Sequence, residues 1–416
     1  DQSGITTPFT LPQFPFIQNV RQATQDSINA PFKLSSGPSV APIALTPNAG
    51  LGQSVYTSNR TAGSGYVQQW NLAVQHAITN TLSFDIAYVG SHGVHVGVPD
   101  SNLNQLTAAQ LALGLTTPAA LTAQVANPYY GQLPASSTIG GKTVAAAQLL
   151  KPYPRFQNVA TYRNNIGQTN YNAVEAKVEE RLRRGIAFTF AYTHSRLIDD
   201  ASSVFSSTVL SSPNTSSLIA ADTFRPYLER DVSSGDMPNV ITGSLVYELP
   251  GGRDHRFGNS AIGNAFFGGW SVNSIATAQS GMTVTVTQGT NYNSFAGFAI
   301  QRPNLVGHPN LASDGGRSPA HFFNTAAFAL APEFTLGDAS RNPVRGPAFR
   351  DLDLSLIKRT SLGEGTLLEF RAELFNVTNT PAFAQPSGSF GTAAFGTISA
   401  TVAEERVAQF ALRLTR

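Results

Sequence analysis

Residues 66–88 read YVQQWNLAVQHAITNTLSFDIAY, and apolar side chains alternate there with polar or small ones on both sides of a short turn. Trp70, Leu72 and Val74 occupy every second position before the turn at 79–80, and the alternation resumes after it. Successive side chains of a strand point to opposite faces, so this stretch predicts a β-hairpin with one apolar face.

The same period of two recurs along the rest of the chain. Seven further segments are predicted strands: 171–180, 186–196, 239–249, 269–279, 349–359, 366–377 and 406–416. In the first of them, Val174, Val178 and Leu182 also fit helical spacing, so an amphipathic helix over 171–182 stays open. The clear alternation of its neighbours favours a strand.

The links between these strands are short and long in turn, without exception. Along the chain they are 79–80, 91–170, 181–185, 197–238, 250–268, 280–348, 360–365 and 378–404. Transmembrane β-barrels have this asymmetry, because their periplasmic turns are short and their extracellular loops are long. The predicted fold class is therefore all-β, an antiparallel transmembrane β-barrel with long extracellular loops. A large soluble all-β protein with the same alternation is the alternative.

Composition supports the barrel and excludes several other classes. Charged residues make up 12% of the chain, against ~25% in average soluble domains. The apolar runs are too short for a transmembrane helix, and the lack of cysteine excludes disulfides and thiolate chemistry. A net charge of +2 gives no nucleic-acid footprint. P-loop, Rossmann and nucleophile-elbow patterns are absent, so we expect neither an enzyme nor a bound cofactor.

The alternation assigns one face of each strand to lipid and the other to an aqueous lumen. The side chains predicted to face lipid are Trp70, Leu72, Val74, Phe84, Ile86, Tyr88, Phe188, Phe190, Tyr192, Leu352, Leu354, Leu356, Phe370, Leu374, Phe410, Leu412 and Leu414. The side chains predicted to face the lumen are Asp85, Glu175, Lys177, Glu179, Asp351, Asp353, Glu369, Arg371 and Glu373. Aromatic residues near strand ends resemble the interfacial girdles of such barrels; they are Trp70, Tyr88, Tyr192, Tyr247 and Trp270.

The strand count is odd, whereas single-chain bacterial barrels have even numbers of strands. Residues 9–60 are rich in Pro, Ser, Asn and Thr and supply at most one more strand. We therefore expect an irregular segment or extracellular loop over 1–60. Residues 61–416 are expected to form about nine or ten strands of a larger barrel, as the C-terminal portion of that barrel.

Two groups of polar residues are candidate metal ligands. His92 and His95 have a spacing that can chelate a metal just above a strand end, but no third ligand follows nearby. Asp199, Asp200 and Asp222 offer hard oxygen ligands for Ca²⁺, without the spacing of an EF-hand. Ordinary solvated side chains are favoured for both groups, so no metal site is assigned.

Paired carboxylates are the strongest candidates for acid–base chemistry. Asp351 and Asp353 lie two residues apart on one strand face, which suits such chemistry. The favoured interpretation is a hydrated lumen wall in which these carboxylates partner Arg371 or Lys177.

Tyrosines in the long loops are the candidate ligand contacts. Tyr129, Tyr130, Tyr153 and Tyr292 could stack on a sugar or another flat ligand, although packing of the loops on each other is favoured. Ala and Leu cluster at 107–113 and 144–150, which predicts short helices in the first long loop.

Several short segments carry a family resemblance through their order and spacing. They are YVQQWNLAVQ (66–75), AYVGSHG (87–93), NLNQ (102–105), NYNAV (170–174), AYTHSR (191–196), DD (199–200), GW (269–270), QSG (279–281), RPNLVG (302–307), FNTAAF (323–328), RGP (345–347) and FRAELFNVTN (370–379). Together they resemble the C-terminal barrel portion of Oar-like TonB-dependent outer-membrane receptors, over roughly residues 50–416.

The resemblance implies a bacterial outer-membrane receptor with a barrel of about 22 strands, an N-terminal plug and a TonB box. No residues here match a plug or a TonB box, so we expect the remainder of the barrel and the plug to come from the same or another chain. The implied partners are outer-membrane lipid, that remainder, and the TonB complex acting through the plug. Arg416 departs from the aromatic residue with which such proteins usually end.

The predicted function is ligand binding by extracellular loops and passage through a polar lumen, in an outer-membrane receptor or transporter. The alternative, from a different class, is a structural or adhesive cell-surface protein without transport activity.

Overall fold

A computed structural model describes residues 48, 50–59, 63–98, 101–162, 164–200, 221–252, 258, 260–311, 316–363, 365–403 and 405–416. Its main sheet contains nine long strands: β1 (Tyr66–Ala77), β2 (Leu82–Val98), β3 (Asn164–Arg183), β4 (Ile186–Asp199), β5 (Asn239–Glu248), β6 (Trp270–Gln279), β7 (Phe349–Gly363), β8 (Thr366–Phe375) and β9 (Val407–Thr415). The alternation predicts all nine. Because 171–182 lies within β3, the helical alternative for that segment is wrong.

The main sheet is an up-and-down meander, in which each long strand pairs antiparallel with the next one along the chain. The strand ends joined by the links 78–81, 184–185, 249–269 and 364–365 therefore lie at one end of the sheet. The strand ends joined by the links 99–163, 200–238, 280–348 and 376–406 lie at the opposite end. The predicted alternation of short and long connections is confirmed.

The tight turns are built from residues suited to them. Arg184 and Gly185 link β3 to β4 with φ angles of 52° and 81°, and two consecutive positive φ angles match the twist of the flanking strands in a hairpin. Between β1 and β2, the Thr79 hydroxyl accepts the backbone N–H groups of Thr81 at 3.2 Å and Leu82 at 2.9 Å. Strand β3 supports the same turn, because the Thr81 hydroxyl donates to Glu180 and the Arg181 guanidinium donates to the Asn80 carbonyl oxygen, both at 2.7 Å.

The register joins the predicted lipid-facing side chains into one continuous apolar face. Leu72 of β1 lies opposite Tyr88 of β2, and Tyr88 lies opposite Val174 of β3. At the other edge, Phe370 of β8 lies opposite Leu412 of β9. Since directly paired residues share a face, the same parity carries across the sheet, and the predicted lumen-facing side chains share the opposite face.

The apolar face has no protein layer over it in the described part of the chain. None of the side chains predicted to face lipid is buried, and Phe410 and Leu412 are each 70% exposed. The three buried hydrophobic clusters contain none of them. A soluble sandwich would bury this face against a second sheet, so the sheet lacks the packing of a soluble all-β domain.

The hydrophobic clusters lie beyond the sheet, where the described residues of the four long links pack together with residues 50–59. We call this region the loop layer. One cluster joins the third and fourth links through residues such as Val286, Phe323 and Ile398. A second joins the first and third links through Leu106, Leu111 and Phe298. The long links therefore fold on each other around cores of their own.

The helices and strands in the described residues of the loop layer are all short. Its helices are α1 (Ala108–Leu111), α2 (Leu113–Thr116), α3 (Ala119–Thr122) and α4 (Ala146–Leu150), with 3₁₀ turns at Pro226–Glu229, Ser294–Ala296 and Thr325–Ala327. Its short strands are Val55–Ser58, Gln124–Ala126, Thr143–Ala145, Val159–Tyr162, Asp231–Val232, Thr283–Val284, Thr287–Gln288, Asn304–Leu305, Phe328–Ala329, Val344–Arg345 and Ser389–Phe390. Helices predicted at 107–113 and 144–150 are therefore present. The short link 249–269 holds a further helix, α5 (Ala261–Phe267).

The main sheet has two open edges within the described residues. Strands β1 and β9 form these edges, because each of them pairs with a single neighbour.

Most of the segment 1–60 lies outside the described residues, and the domain boundary predicted near residue 60 stays a prediction. Where that segment is described, Val55–Ser58 pairs parallel with Val159–Tyr162 in the loop layer rather than with the main sheet. In the described part of the chain, helices long and apolar enough to span a membrane are not found.

Candidate functional site

The polar face of the sheet is the first component of the candidate site. On it, Asp85 of β2 lies opposite Lys177 of β3, and Lys177 pairs with Glu179 two residues along the same strand. Because the three side chains share a face and carry both signs of charge, the surface of β2 and β3 presents ion pairs rather than a single-sign field.

A second charged group lies on the polar face of β7 and β8. The Glu369 carboxylate accepts from Arg359 Nε at 2.8 Å and from Arg371 Nε at 2.6 Å. Glu373 lies 4.0 Å from the Arg371 guanidinium. Each oxygen of Glu369 thus has its own guanidinium donor, an arrangement that holds charged side chains in place on a polar wall.

The paired carboxylates of β7 differ from the prediction in their partners. Asp353 accepts the backbone N–H of Asn376 at 2.9 Å, whereas Arg371 pairs with Glu369 and Glu373. The expected pairing of Asp353 with Arg371 or Lys177 is therefore wrong, because closer carboxylates occupy both cations. Asp351 and Asp353 line a cavity of about 370 Å³ at the end of the sheet that carries the long links.

The second component of the candidate site is a set of three arginines in the third long link, which we call the arginine clamp. Arg302 pairs with Glu229, and both side chains are buried. Arg341 pairs with Asp199 and also donates to its carbonyl oxygen at 2.9 Å. Arg345 Nη2 lies 2.8 Å from Asp236 Oδ2. Each pair joins the third link to the second link or to the end of β4, so the clamp fixes the loop layer from within.

The carboxylates predicted as Ca²⁺ ligands are used for other contacts. Asp199 belongs to the clamp, and Asp222 accepts from Gln105 Nε2 at 2.8 Å and Arg225 Nε at 2.6 Å. Asp200 accepts the backbone N–H of Gln168 at 2.6 Å, and burial raises the pKa of its carboxyl group. Within the described ranges, groups of three or more metal-ligating side chains are not found.

The two candidate histidines lie within a strand, so their prediction above a strand end is wrong. Strand β2 continues to Val98. The Nδ1 atom of His92 lies 2.8 Å from Asn170 Oδ1, and the Nδ1 atom of His95 lies 3.3 Å from the Asn165 carbonyl oxygen. The register between β2 and β3 shifts at His95, where φ is 54°. The bulge interrupts the alternation of side chains but does not end the strand, which continues to Val98. Because the alternation is interrupted there, the sequence placed the end of the strand too early.

A family model described as an outer membrane beta barrel domain matches residues 2–409. The chain belongs to this family. Its strands therefore form part of a β-barrel of the bacterial outer membrane, and the two-faced sheet is the structural basis of that membership. No curated protein matches the chain.

Solved structures with a similar arrangement include three outer-membrane proteins. The outer membrane transporter YddB from Escherichia coli has 9% sequence identity and a TM-score of 0.41, over 86% of this chain and 33% of that chain. The pyoverdine outer membrane receptor FpvA from Pseudomonas aeruginosa PAO1, bound to pyoverdine, has 11% identity and a TM-score of 0.36, over 85% and 30%. The ferric citrate transporter FecA, unliganded, has 9% identity and a TM-score of 0.33, over 82% and 30%. The chain spans about a third of the length of these proteins.

Tyrosines of this outer-membrane barrel domain lie in two settings. Tyr88 and Tyr192, on the apolar face, donate their hydroxyls to Asn172 at 2.7 Å and Asn239 at 2.8 Å. Tyr88 lies within strand β2, whereas Asn239 begins strand β5 at the long-link end of the sheet. An aromatic ring with a polar tip suits the boundary between hydrocarbon and water, and the girdle itself stays a prediction.

Of the four loop tyrosines, one packs and three are exposed. Tyr129 packs against the cluster of Leu51, Leu133, Ile139 and Val144. Tyr130, Tyr153 and Tyr292 are exposed. Ligand contact by these three stays a prediction, whereas Tyr129 contributes to the packing of the loop layer.

The sequence interpretation missed the arginine clamp and one buried lysine of this barrel domain. Lys151, after α4, is 8% exposed, and burial lowers the pKa of its amine to about 8. Arg302 and Arg345 fall in two of the short segments that carry the family resemblance. Only 12% of the residues are charged, so an arginine inside a long loop is a candidate for a buried ion pair. This scarcity of charge is the sequence feature from which the clamp could have been predicted.

Proposed function

We propose that this chain forms part of an outer-membrane receptor or transporter. In this proposal the loop layer binds a ligand at the cell surface, and the ligand passes through a polar lumen lined by the charged face of the sheet. No covalent step is involved, because binding and passage need only a shaped surface and a hydrated path.

The observation that carries the proposal is the two-faced sheet. Its apolar face is uncovered in the described residues, while the opposite face carries ion pairs such as Arg359–Glu369. In a membrane, a face with exposed Phe and Leu suits hydrocarbon. The charged face then needs an enclosed aqueous space, since ion pairs facing lipid would be costly.

The open edges imply that further strands complete the barrel. Unpaired backbone N–H and C=O groups each cost several kcal/mol in lipid, and β1 and β9 expose a row of them within the described part of the chain. We infer that other strands, from the same or another chain, pair with β1 and β9. A plug and coupling to the TonB complex form part of this proposal through the family resemblance.

Uptake by living cells tests the proposal. Cells that carry the gene and cells that lack it are incubated with a mixture of iron chelates, oligosaccharides and peptides, and mass spectrometry follows the loss of each compound from the medium. We expect the gene to be required for depletion of one chemical class, and a protonophore to stop that depletion if energy comes through TonB.

A different result would favour the structural or adhesive alternative. The rigid packing of the loop layer around its own cores also suits a protein that presents a fixed surface to another cell. Identical depletion of all compounds, together with loss of attachment in the cells that lack the gene, would contradict transport and support adhesion. Uptake that continues undiminished with the protonophore would contradict only the coupling to TonB.

A further inference from the structure

The link 249–269 differs from the other short links, because it holds a helix with exposed apolar side chains. In α5, the Ser260 hydroxyl caps the first turn by accepting the Gly263 N–H at 2.9 Å. Ile262 and Phe266 lie four residues apart on one face of the helix, and they are 75% and 69% exposed. Phe267 is 62% exposed. Exposed apolar side chains grouped in this way indicate a surface that contacts something apolar.

The helix is tied to the end of the sheet by a tryptophan and a lysine. Trp270 Nε1 donates to the carbonyl oxygen of Phe266 at 2.7 Å. Lys358, opposite Trp270 in the register, donates from Nζ to the carbonyl oxygens of Gly268 at 3.0 Å and Phe266 at 3.3 Å. The same Nζ lies 4.8 Å from the centroid of the Trp270 ring, within range of a cation–π interaction.

An apolar groove lies between this link and the sheet. Its volume is about 440 Å³, and its lining residues are Leu249, Pro250, Gly251, Phe267, Trp270 and Leu356. That size falls in the range of small-molecule sites, ~300–1,000 Å³. Trp270 and Leu356 belong to the apolar face of the sheet, so the groove is continuous with the surface that contacts membrane hydrocarbon.

We propose that this groove binds one acyl chain of an anionic phospholipid. The occupant follows from two features: the groove is apolar and continuous with the lipid-facing surface, and a cation lies beside it. The Lys358 ammonium has three N–H groups, two of which donate to backbone carbonyl oxygens. In the proposed complex the third N–H donates to a phosphate oxygen. On the proposed topology, in which the short links are periplasmic, the lipid lies in the periplasmic leaflet.

The two tryptophans of the chain allow a matched test, because Trp70 lies on the apolar face of β1 and does not line the groove. Protein purified from outer membranes in detergent is titrated with phosphatidylglycerol that carries brominated acyl chains, which quench nearby indoles. The Trp70→Phe protein reports on Trp270, and the Trp270→Phe protein reports on Trp70. We expect Trp270 to be half-quenched at about a tenfold lower lipid mole fraction than Trp70, since burial of a few methylenes gives that preference.

Three further variants in the Trp70→Phe background separate the parts of the site. Phe267→Ala removes a wall of the groove and should abolish the preference, whereas Ile262→Ala, on the same helix but outside the lining, should keep it. Lys358→Gln should weaken quenching by phosphatidylglycerol and leave quenching by brominated diacylglycerol unchanged. Equal quenching of Trp70 and Trp270, or a preference that persists in Phe267→Ala, would overturn the proposal. Unchanged phosphatidylglycerol binding in Lys358→Gln would overturn the phosphate contact.

Discussion

Gly90 determines, at the scale of a single residue, how an aromatic ring lies on the apolar face. It is opposite Trp70 in the register, and a β-carbon on Gly90 would lie 2.2 Å from the indole ring. Position 90 must therefore be glycine, because any side chain there would collide with the Trp70 ring where it crosses strand β2. A glycine that would otherwise weaken a strand is thus required by its neighbour.

We predict that Gly90→Ala destabilises the protein by about 1–3 kcal/mol, because the ring must leave its position. The matched control is Gly243→Ala on the same face of β5, where the nearest atoms to an added β-carbon are 3.9 Å away. That change should be neutral or slightly stabilising. Urea-induced unfolding in lipid vesicles, followed by tryptophan fluorescence, measures both. Equal effects of the two substitutions would contradict the contact, and Trp70→Ala should relieve the effect of Gly90→Ala.

Lys151 is the residue for which we predict a pH-dependent stability. Burial lowers the pKa of its amine from 10.5 to about 8, so the charged form is disfavoured in the folded state. Stability is therefore reduced below pH 8 and rises as the pH increases from about 8 toward 10.5.

Lys151→Met should therefore stabilise the loop layer at pH 7, by at most about 3 kcal/mol. The advantage should shrink between pH 8 and pH 10.5. Thermal unfolding of the detergent-solubilised protein at several pH values measures this difference, with the exposed Lys142→Met as the control. An advantage of Lys151→Met that does not vary with pH would contradict the burial of a charged amine.

At the scale of elements, alternation was sufficient to predict all nine long strands. Each strand of a barrel has one face in contact with apolar surroundings. Apolar residues therefore recur at every second position within a single segment, as in 366–377. The loop layer could not be predicted in this way, since its order comes from contacts between distant links. No periodic sequence pattern marks the pairing of Arg302 with Glu229 or the bulge at His95. Short helices with clustered Ala and Leu, such as α4, were the exception.

The arginine clamp gives a prediction for the loop layer. Arg302→Met leaves the buried Glu229 carboxylate without its cation, which should cost about 3–5 kcal/mol. We expect faster proteolysis within 221–236, measured by mass spectrometry of the released peptides. The double variant Arg302→Met/Glu229→Leu should regain most of the loss. It should not regain all of it, because the Ala221 N–H also donates to Glu229.

Controls for the clamp come from an exposed pair in the same protein. Lys177→Met breaks the pair with Glu179, in which both side chains are exposed, and exposed pairs contribute little to stability. The proteolysis pattern of the loop layer should therefore not change in Lys177→Met. A double variant of the clamp that is as unstable as Arg302→Met would contradict a role for the buried, uncompensated charge.

At the scale of the whole molecule, the distribution of apolar residues is the reverse of that in a soluble domain. The strand residues predicted to face lipid are exposed or half-buried, while the buried clusters lie in the links, as with Phe323 and Leu106. Family membership in the outer membrane beta barrel domains accounts for this reversal, because hydrocarbon takes the place of a second protein layer. The ligand could not be predicted, since binding surfaces made by folded loops are not encoded in a short motif.

Spin labels along β4 test the central claim most directly, since the chain has no cysteine and single cysteines can be introduced cleanly. The labelled positions on the apolar face are Phe188, Phe190 and Tyr192, and those on the polar face are Ala187, Thr189 and Ala191. In vesicles, collision with oxygen reports hydrocarbon and collision with a water-soluble nickel chelate reports an aqueous space. We predict that oxygen access is high on the apolar face and nickel access is high on the polar face, with a period of two. Oxygen and nickel access that do not alternate, or that alternate in the opposite phase, would contradict the account.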